Sequence, residues 1–173
     1  MYRINMLNYE LLVNYYNEHK HKPVFEWLEL KTIFKKSGKQ GIVGLLENKL
    51  DKDKYNLIYV FKLSQELDFL IRHELSIMNT TNIIASFCPN FVKSVGGVIV
   101  STNPFNKENP FDLTGAKYTI EKDMLLLEYI PDSRNLYTYI KTATINKSIL
   151  FSAVKQVLAS ICVGQTRSLT HYD

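Results

Sequence analysis

YNLIYVFKLSQELDFLIRHELSIM, residues 55–78, changes its hydrophobic period in the middle. Residues 55–64 are rich in β-branched and aromatic side chains and apolar at nearly every second position, which predicts a strand. From residue 65 the apolar positions fall at Leu67, Leu70, Ile71, Leu75 and Met78, one stripe of a helix predicted over 65–87. Each half carries a charge in an apolar setting. Lys62 sits inside the strand, where burying an ammonium is costly without a compensating anion. Glu74 sits within the helix stripe and is the anion the sequence offers, so an ion pair between strand and helix is expected.

Working outward, SGKQGIVGLLENKL (37–50) predicts a preceding strand, joined to YNLIYVFKLS by a polar turn at Asp51–Lys54. Gly38, Gly41 and Gly44 are spaced by three in this strand-turn-strand region, a setting in which backbone amides can approach phosphate oxygens. Residues 91–101 predict a strand pair, or one strand bent at Gly96-Gly97, and 102–117 a loop with Pro104, Pro110 and Gly115. YTIEKDMLLLEYIP (118–131) predicts a hairpin that turns at Glu121–Asp123, with Met124–Tyr129 as a buried strand. Beyond Pro131 the pattern is helical: a short piece near Leu136–Ile140 and a long one over 147–163. Ile149, Leu150, Ala153, Val154, Val157, Leu158, Ile161 and Cys162 give the long helix a wide apolar stripe, and Gly164 is expected to end it.

Upstream, Asn8 is a helix start signal, and Leu11, Leu12, Tyr15 and Tyr16 share one helical face. The run His19-Lys20-His21-Lys22 leads into Pro23 and reads as a solvated turn. Trp27, Leu28, Leu30, Ile33 and Phe34 then lead into the sheet region.

Composition bounds the possibilities. With 46% hydrophobic and 22% charged residues, 173 residues suffice for a globular core and are unlike a disordered segment. A formal charge of +4 with lysines dispersed along the chain does not predict a nucleic-acid partner. Cys88 and Cys162 are far apart, with no CxxC pair, and are expected to be buried free thiols in a reducing compartment. The N-terminus is too polar for a signal peptide, and no continuous apolar run approaches 18 residues, so no membrane partner and a cytoplasmic location are expected.

The glycine segment, Lys62, Glu74, the apolar strand running into Glu128-Tyr129-Ile130 and the terminal His171-Tyr172-Asp173 stand in the order found in the protein kinase superfamily, and from about residue 35 onward the chain resembles its small lobe. The CPNFV and LLLEYIP stretches resemble kinase-like proteins of large DNA viruses. The resemblance implies an α+β fold: a helical N-terminal extension over 1–34, a small lobe of antiparallel sheet plus one helix over 35–130, and the first helices of a large lobe over 131–173. The implied function is that of a protein Ser/Thr kinase-like enzyme moving the γ-phosphate of ATP to a hydroxyl of a protein or small molecule.

Residue by residue, the resemblance implies that Gly38, Gly41 and Gly44 lie in the phosphate loop, although Lys39 stands where its first glycine is expected. Lys62 would meet the phosphates and Glu74. Leu127 would be the gatekeeper, backbone groups of Glu128 and Ile130 would meet the adenine edge, and Asp132 or Asn135 would reach the ribose. Asp173 would orient the attacking hydroxyl. Tyr172 replaces the arginine used by many kinases for activation-loop control. The Mg²⁺ ligands of the family would lie beyond residue 173, so the fragment by itself is expected to be inactive. A small-molecule phosphotransferase of the aminoglycoside or choline kinase type, a pseudokinase-like binding module and an unrelated α+β domain are the alternatives.

Overall fold

The computed structural model describes residues 2–34, 41–64, 68–102, 120–142 and 146–169. The chain is α+β, in the order α1 (Tyr2–His19), α2 (Val24–Trp27), β1 (Leu28–Ile33), β2 (Gly41–Asn48), β3 (Ile58–Ser64), α3 (Asp68–Ala85), β4 (Ser94–Thr102), β5 (Ile120–Glu128), α4 (Leu136–Thr142) and α5 (Lys147–Thr166). It divides into two compact units, one of residues 1–78 and 94–129, the other of residues 79–93 and 130–173.

The first unit is built on a five-stranded antiparallel sheet in the order β1-β2-β3-β5-β4. Directly paired residues share a face, and successive residues alternate. One face therefore carries Ile42, Gly44 and Leu46 of β2, Tyr59, Phe61 and Leu63 of β3, Met124 and Leu126 of β5, and Val98 and Val100 of β4. Helices α1 and α2 seal this face, and Leu12, Tyr15, Val24 and Trp27 join its side chains in one core. The N-terminal segment is thus part of the body of the unit.

Tyrosines make that seal possible despite the polar composition of α1. Their rings enter the core while their hydroxyls donate to backbone carbonyls: Tyr15 to Trp27 at 3.1 Å, Tyr16 to Gly97 at 2.8 Å and Tyr9 to Ser94 at 2.8 Å. Tyr59 returns the contact from the sheet, donating to the Leu12 carbonyl at 3.0 Å. His19 is buried, contrary to the solvated turn expected for its run: its Nδ1 lies 2.9 Å from the Tyr15 carbonyl and its ring stacks on Trp27.

The β2–β3 connection follows its sequence signal, with Asp51 at φ 57° and Lys54 and Tyr55 both donating to its carbonyl. Buried Asn48 closes the hairpin by accepting from Leu57 N–H at 2.9 Å and donating to the Leu50 carbonyl at 2.7 Å. On edge strand β1, Glu29 lies opposite Glu47, a repulsive juxtaposition relieved by Lys31 and Lys52. The Lys31 hydrogen bond, ahead of burial, holds Glu47 below the usual carboxylate range.

The turn expected at Glu121–Asp123 is absent. All three residues lie within β5, where Glu121, Lys122 and Asp123 pair with Ser101, Val100 and Ile99. Lys122 is buried, so a charged triplet that resembles a turn in sequence is here paired strand. Strand β4 is continuous through its glycines, with a register shift between Ser94 and Gly96.

In the second unit Asn146 caps α5, its side-chain oxygen accepting from Ser148 N–H at 2.9 Å. The helix runs past Gly164 to Thr166; the glycine carbonyl instead accepts from Arg167 and Leu169, closing the last turn. Most of α5 is exposed, including Ile149, Phe151, Val157 and Leu158, which differs from the interior helix its stripe predicts. By length and composition α5 could also cross a membrane, a test that core helices of soluble proteins pass equally. Cys88 is buried, its Sγ 3.8 Å from Ser160 Oγ, whereas Cys162 is exposed rather than buried.

Candidate functional site

The other face of the sheet is only partly covered. Alternation along β3 turns Val60 and Lys62 toward it, and pairing brings Val43 and Leu45 of β2 and Leu125 and Leu127 of β5 alongside. Val43, Val60 and Leu127 are half-buried there, which leaves an apolar platform next to the lysine.

Helix α3 supplies the anion. Lys62 Nζ lies 2.5 Å from Glu74 Oε2, with both side chains partly buried. A second ion pair, Arg72 to Asp123 at 2.5 Å, ties the same helix to β5. Leu75, next to Glu74, reaches β4: a Cβ on Gly97 would come 2.8 Å from Leu75 Cδ2. Helix α3 is therefore held to β3, β5 and β4 by consecutive contacts from one short stretch of its sequence. The strand–helix ion pair read from residues 55–78 forms as expected.

The glycines of β2 have packing reasons of their own. A Cβ on Gly44 would lie 2.3 Å from the Thr32 carbonyl and 2.6 Å from the Phe61 ring, so only glycine admits that ring on the α1 side of the sheet. Gly41 opens β2 opposite Ser64, where a Cβ would stand 2.6 Å from the Leu63 carbonyl. Gly38 and Asp173 lie outside the described residues.

Leu127 and Glu128 close β5 in the first unit, while Ile130, Asp132 and Asn135 belong to the second. There Ile130 and Asp132 are exposed, Asp132 with φ 57°, and the Asn135 side-chain oxygen accepts from Tyr137 N–H at 2.8 Å, capping α4. Of the expected site, Lys62, Glu74 and Leu127 stand on one face of the first unit. Sequence reading passed over Arg72 and Asp123. Arg72 stood two residues before Glu74, but the turn expected at Glu121–Asp123 hid the strand position of Asp123. Among the described residues no group of three His, Cys, Asp or Glu is placed to hold a metal ion.

No family model matches the chain, and no solved structure matches it. It is similar to "Uncharacterized protein 038R" of Invertebrate iridescent virus 3, 24% identical over 180 residues that take in 84% of this chain and 32% of that protein. The chain thus spans about a third of the length of the curated relative it matches.

Proposed function

We propose that the chain carries the nucleotide-binding portion of a kinase-like phosphotransferase, one that moves the γ-phosphate of ATP to a hydroxyl. The observation that carries this reading is the Lys62–Glu74 pair in its setting. The lysine is on the third strand of an antiparallel sheet and its glutamate is on the helix that follows that strand, the places these two residues have in kinases.

The chemistry suits the task. An ammonium held by one carboxylate is fixed in direction yet keeps further N–H donors for phosphate oxygens. The adjoining Val43, Val60 and Leu127 offer an apolar surface on which a purine can lie, while the backbone at the end of β5, around Glu128, can meet its hydrogen-bonding edge. When bound, Mg²⁺ would neutralise phosphate charge as the group transfers. In this reading the acceptor is a protein or small-molecule hydroxyl, oriented by Asp173.

Thermal unfolding with and without ATP, in the presence and absence of Mg²⁺, tests the reading. At nucleotide concentrations about 100-fold above Kd the expected stabilisation is about 2.7 kcal/mol, a rise in Tm of roughly 5–10 °C for a chain of this size. Lys62→Ala should remove most of the rise. No shift in either protein would overturn this reading and favour a binding module without a nucleotide cleft.

A further inference from the structure

We propose that the N-terminal helix α1 positions the Lys62–Glu74 pair, acting through Tyr16 and the Gly96-Gly97 step of β4. Successive strand residues face opposite sides of a sheet, and at this step both are glycine. On one side a Cβ at Gly96 would lie 2.3 Å from Tyr16 Cζ, within the ring; on the other a Cβ at Gly97 would lie 2.8 Å from Leu75 Cδ2. Here the sheet is one bare backbone thick between the tyrosine of α1 and the leucine of α3. Tyr16 also holds the backbone just after this step by hydrogen bond, its hydroxyl donating to the Gly97 carbonyl at 2.8 Å.

Leu75 adjoins Glu74, so the seat of Leu75 on Gly97 sets how far the glutamate reaches toward Lys62. The Arg72–Asp123 pair holds the same segment of α3 from β5, but Arg72 is largely exposed and an exposed pair is a weak restraint. Half-buried Leu75, whose Cδ2 meets Gly97, adds a third tie between this segment of α3 and the sheet. A displacement of α1 is therefore carried through the Gly96-Gly97 peptide to Leu75 and on to the ion pair. Tyr16 and Gly97 are positioning residues in this scheme and touch no ligand. The consequence for nucleotide affinity rests on the function proposed above, whereas the mechanical link does not.

The link is tested without nucleotide, by competitive acylation of the full chain with limiting acetic anhydride and mass-spectrometric comparison of Lys62 with Lys54. A partly buried ammonium held at 2.5 Å by a carboxylate presents its nitrogen to the reagent less often than a free one. Glu74→Gln marks the rate for a released lysine and should raise Lys62 labelling. Tyr16→Phe keeps the ring on Gly96 and removes only the hydroxyl; it should raise labelling by about threefold, a change on the scale of one hydrogen bond. Gly97→Ala, which displaces only the flexible end of Leu75, should raise it at least as much.

Far-UV circular dichroism of each variant checks that the sheet and helices persist. Unchanged Lys62 labelling in both Tyr16→Phe and Gly97→Ala, with Glu74→Gln responding, would overturn the proposal, as would a Glu74→Gln variant that labels like the wild type. A wild-type chain that binds no ATP would defeat the nucleotide reading and leave the labelling result to decide this one.

Discussion

Trp27→Ala is expected to destabilise the chain by about 3–5 kcal/mol, the usual cost of emptying a large aromatic site in a core. Trp27 is fully buried, with ring centroids of Tyr15 and His19 at 5.9 Å and of Tyr59, edge-on, at 6.5 Å. It is where α1, α2 and the sheet meet, so its removal opens a void that no single element can close. Against a total stability of about 5–15 kcal/mol, such a loss leaves part of the population unfolded at ordinary temperature.

Trp27→Phe should be much milder, about 1–2 kcal/mol, because the indole Nε1 is buried with no hydrogen-bond partner among the described residues and its loss strands nothing. Urea unfolding followed by far-UV circular dichroism measures both variants. A cost under about 1 kcal/mol for Trp27→Ala would mean that the α1-covered face is not the core of the unit.

The second large effect is alkaline. Burial pushes the phenol groups of Tyr9, Tyr15, Tyr16 and Tyr59 above their ordinary value of 10.0, most strongly for Tyr59. A raised phenol pKa means that the folded chain holds the neutral form while the unfolded chain ionises at the ordinary value. Their contribution to stability is complete below pH 10.0 and declines as pH rises above it toward the folded values.

Tyr59 alone should remove about 1.4 kcal/mol per pH unit in that window, and the other three add to the slope. The chain is therefore expected to unfold cooperatively above pH 10.0, with the tyrosinate absorbance of Tyr9, Tyr15, Tyr16 and Tyr59 appearing together with loss of the circular dichroism signal. Tyrosinate absorbance complete for all eleven tyrosines while the helical signal holds would contradict the buried placement of these rings.

How much of this was legible in sequence depended on whether a residue's job matched its type. Residues 55–78 could be read because strand and helix periods are simple and because Lys62 and Glu74 were anomalies within them; the structure joins the two. The Asp51 turn followed its signal as well, and the C-terminal helix lies where its period placed it, although it is exposed and runs past Gly164. Helix α1 was harder. Tyrosine counts as half-polar in a pattern, yet Tyr15 and Tyr16 bury their rings and spend their hydroxyls on backbone carbonyls that a composition cannot reveal.

Charge misled in the same way at Lys122, which is buried in paired strand although Glu-Lys-Asp resembles a turn. His19, between Glu18 and Lys20, is covered by Trp27 and Tyr15, a tertiary contact that local pattern does not encode. Gly44 shows how one residue type can carry two readings. Its spacing suits a phosphate loop, and its lack of a side chain is required by Phe61 and Thr32 whatever the strand binds.

In the proposed function the half-open sheet face around Lys62 and Glu74 takes a nucleotide. Calorimetric titration of ATP into the wild-type chain and into Lys62→Ala tests it most directly. Saturable one-to-one binding to the wild type is expected, weakened by about tenfold or more in the variant through loss of a charge-assisted contact to phosphate. Absence of heat and of any saturable binding to the wild type, or equal affinity in the two proteins, would contradict it.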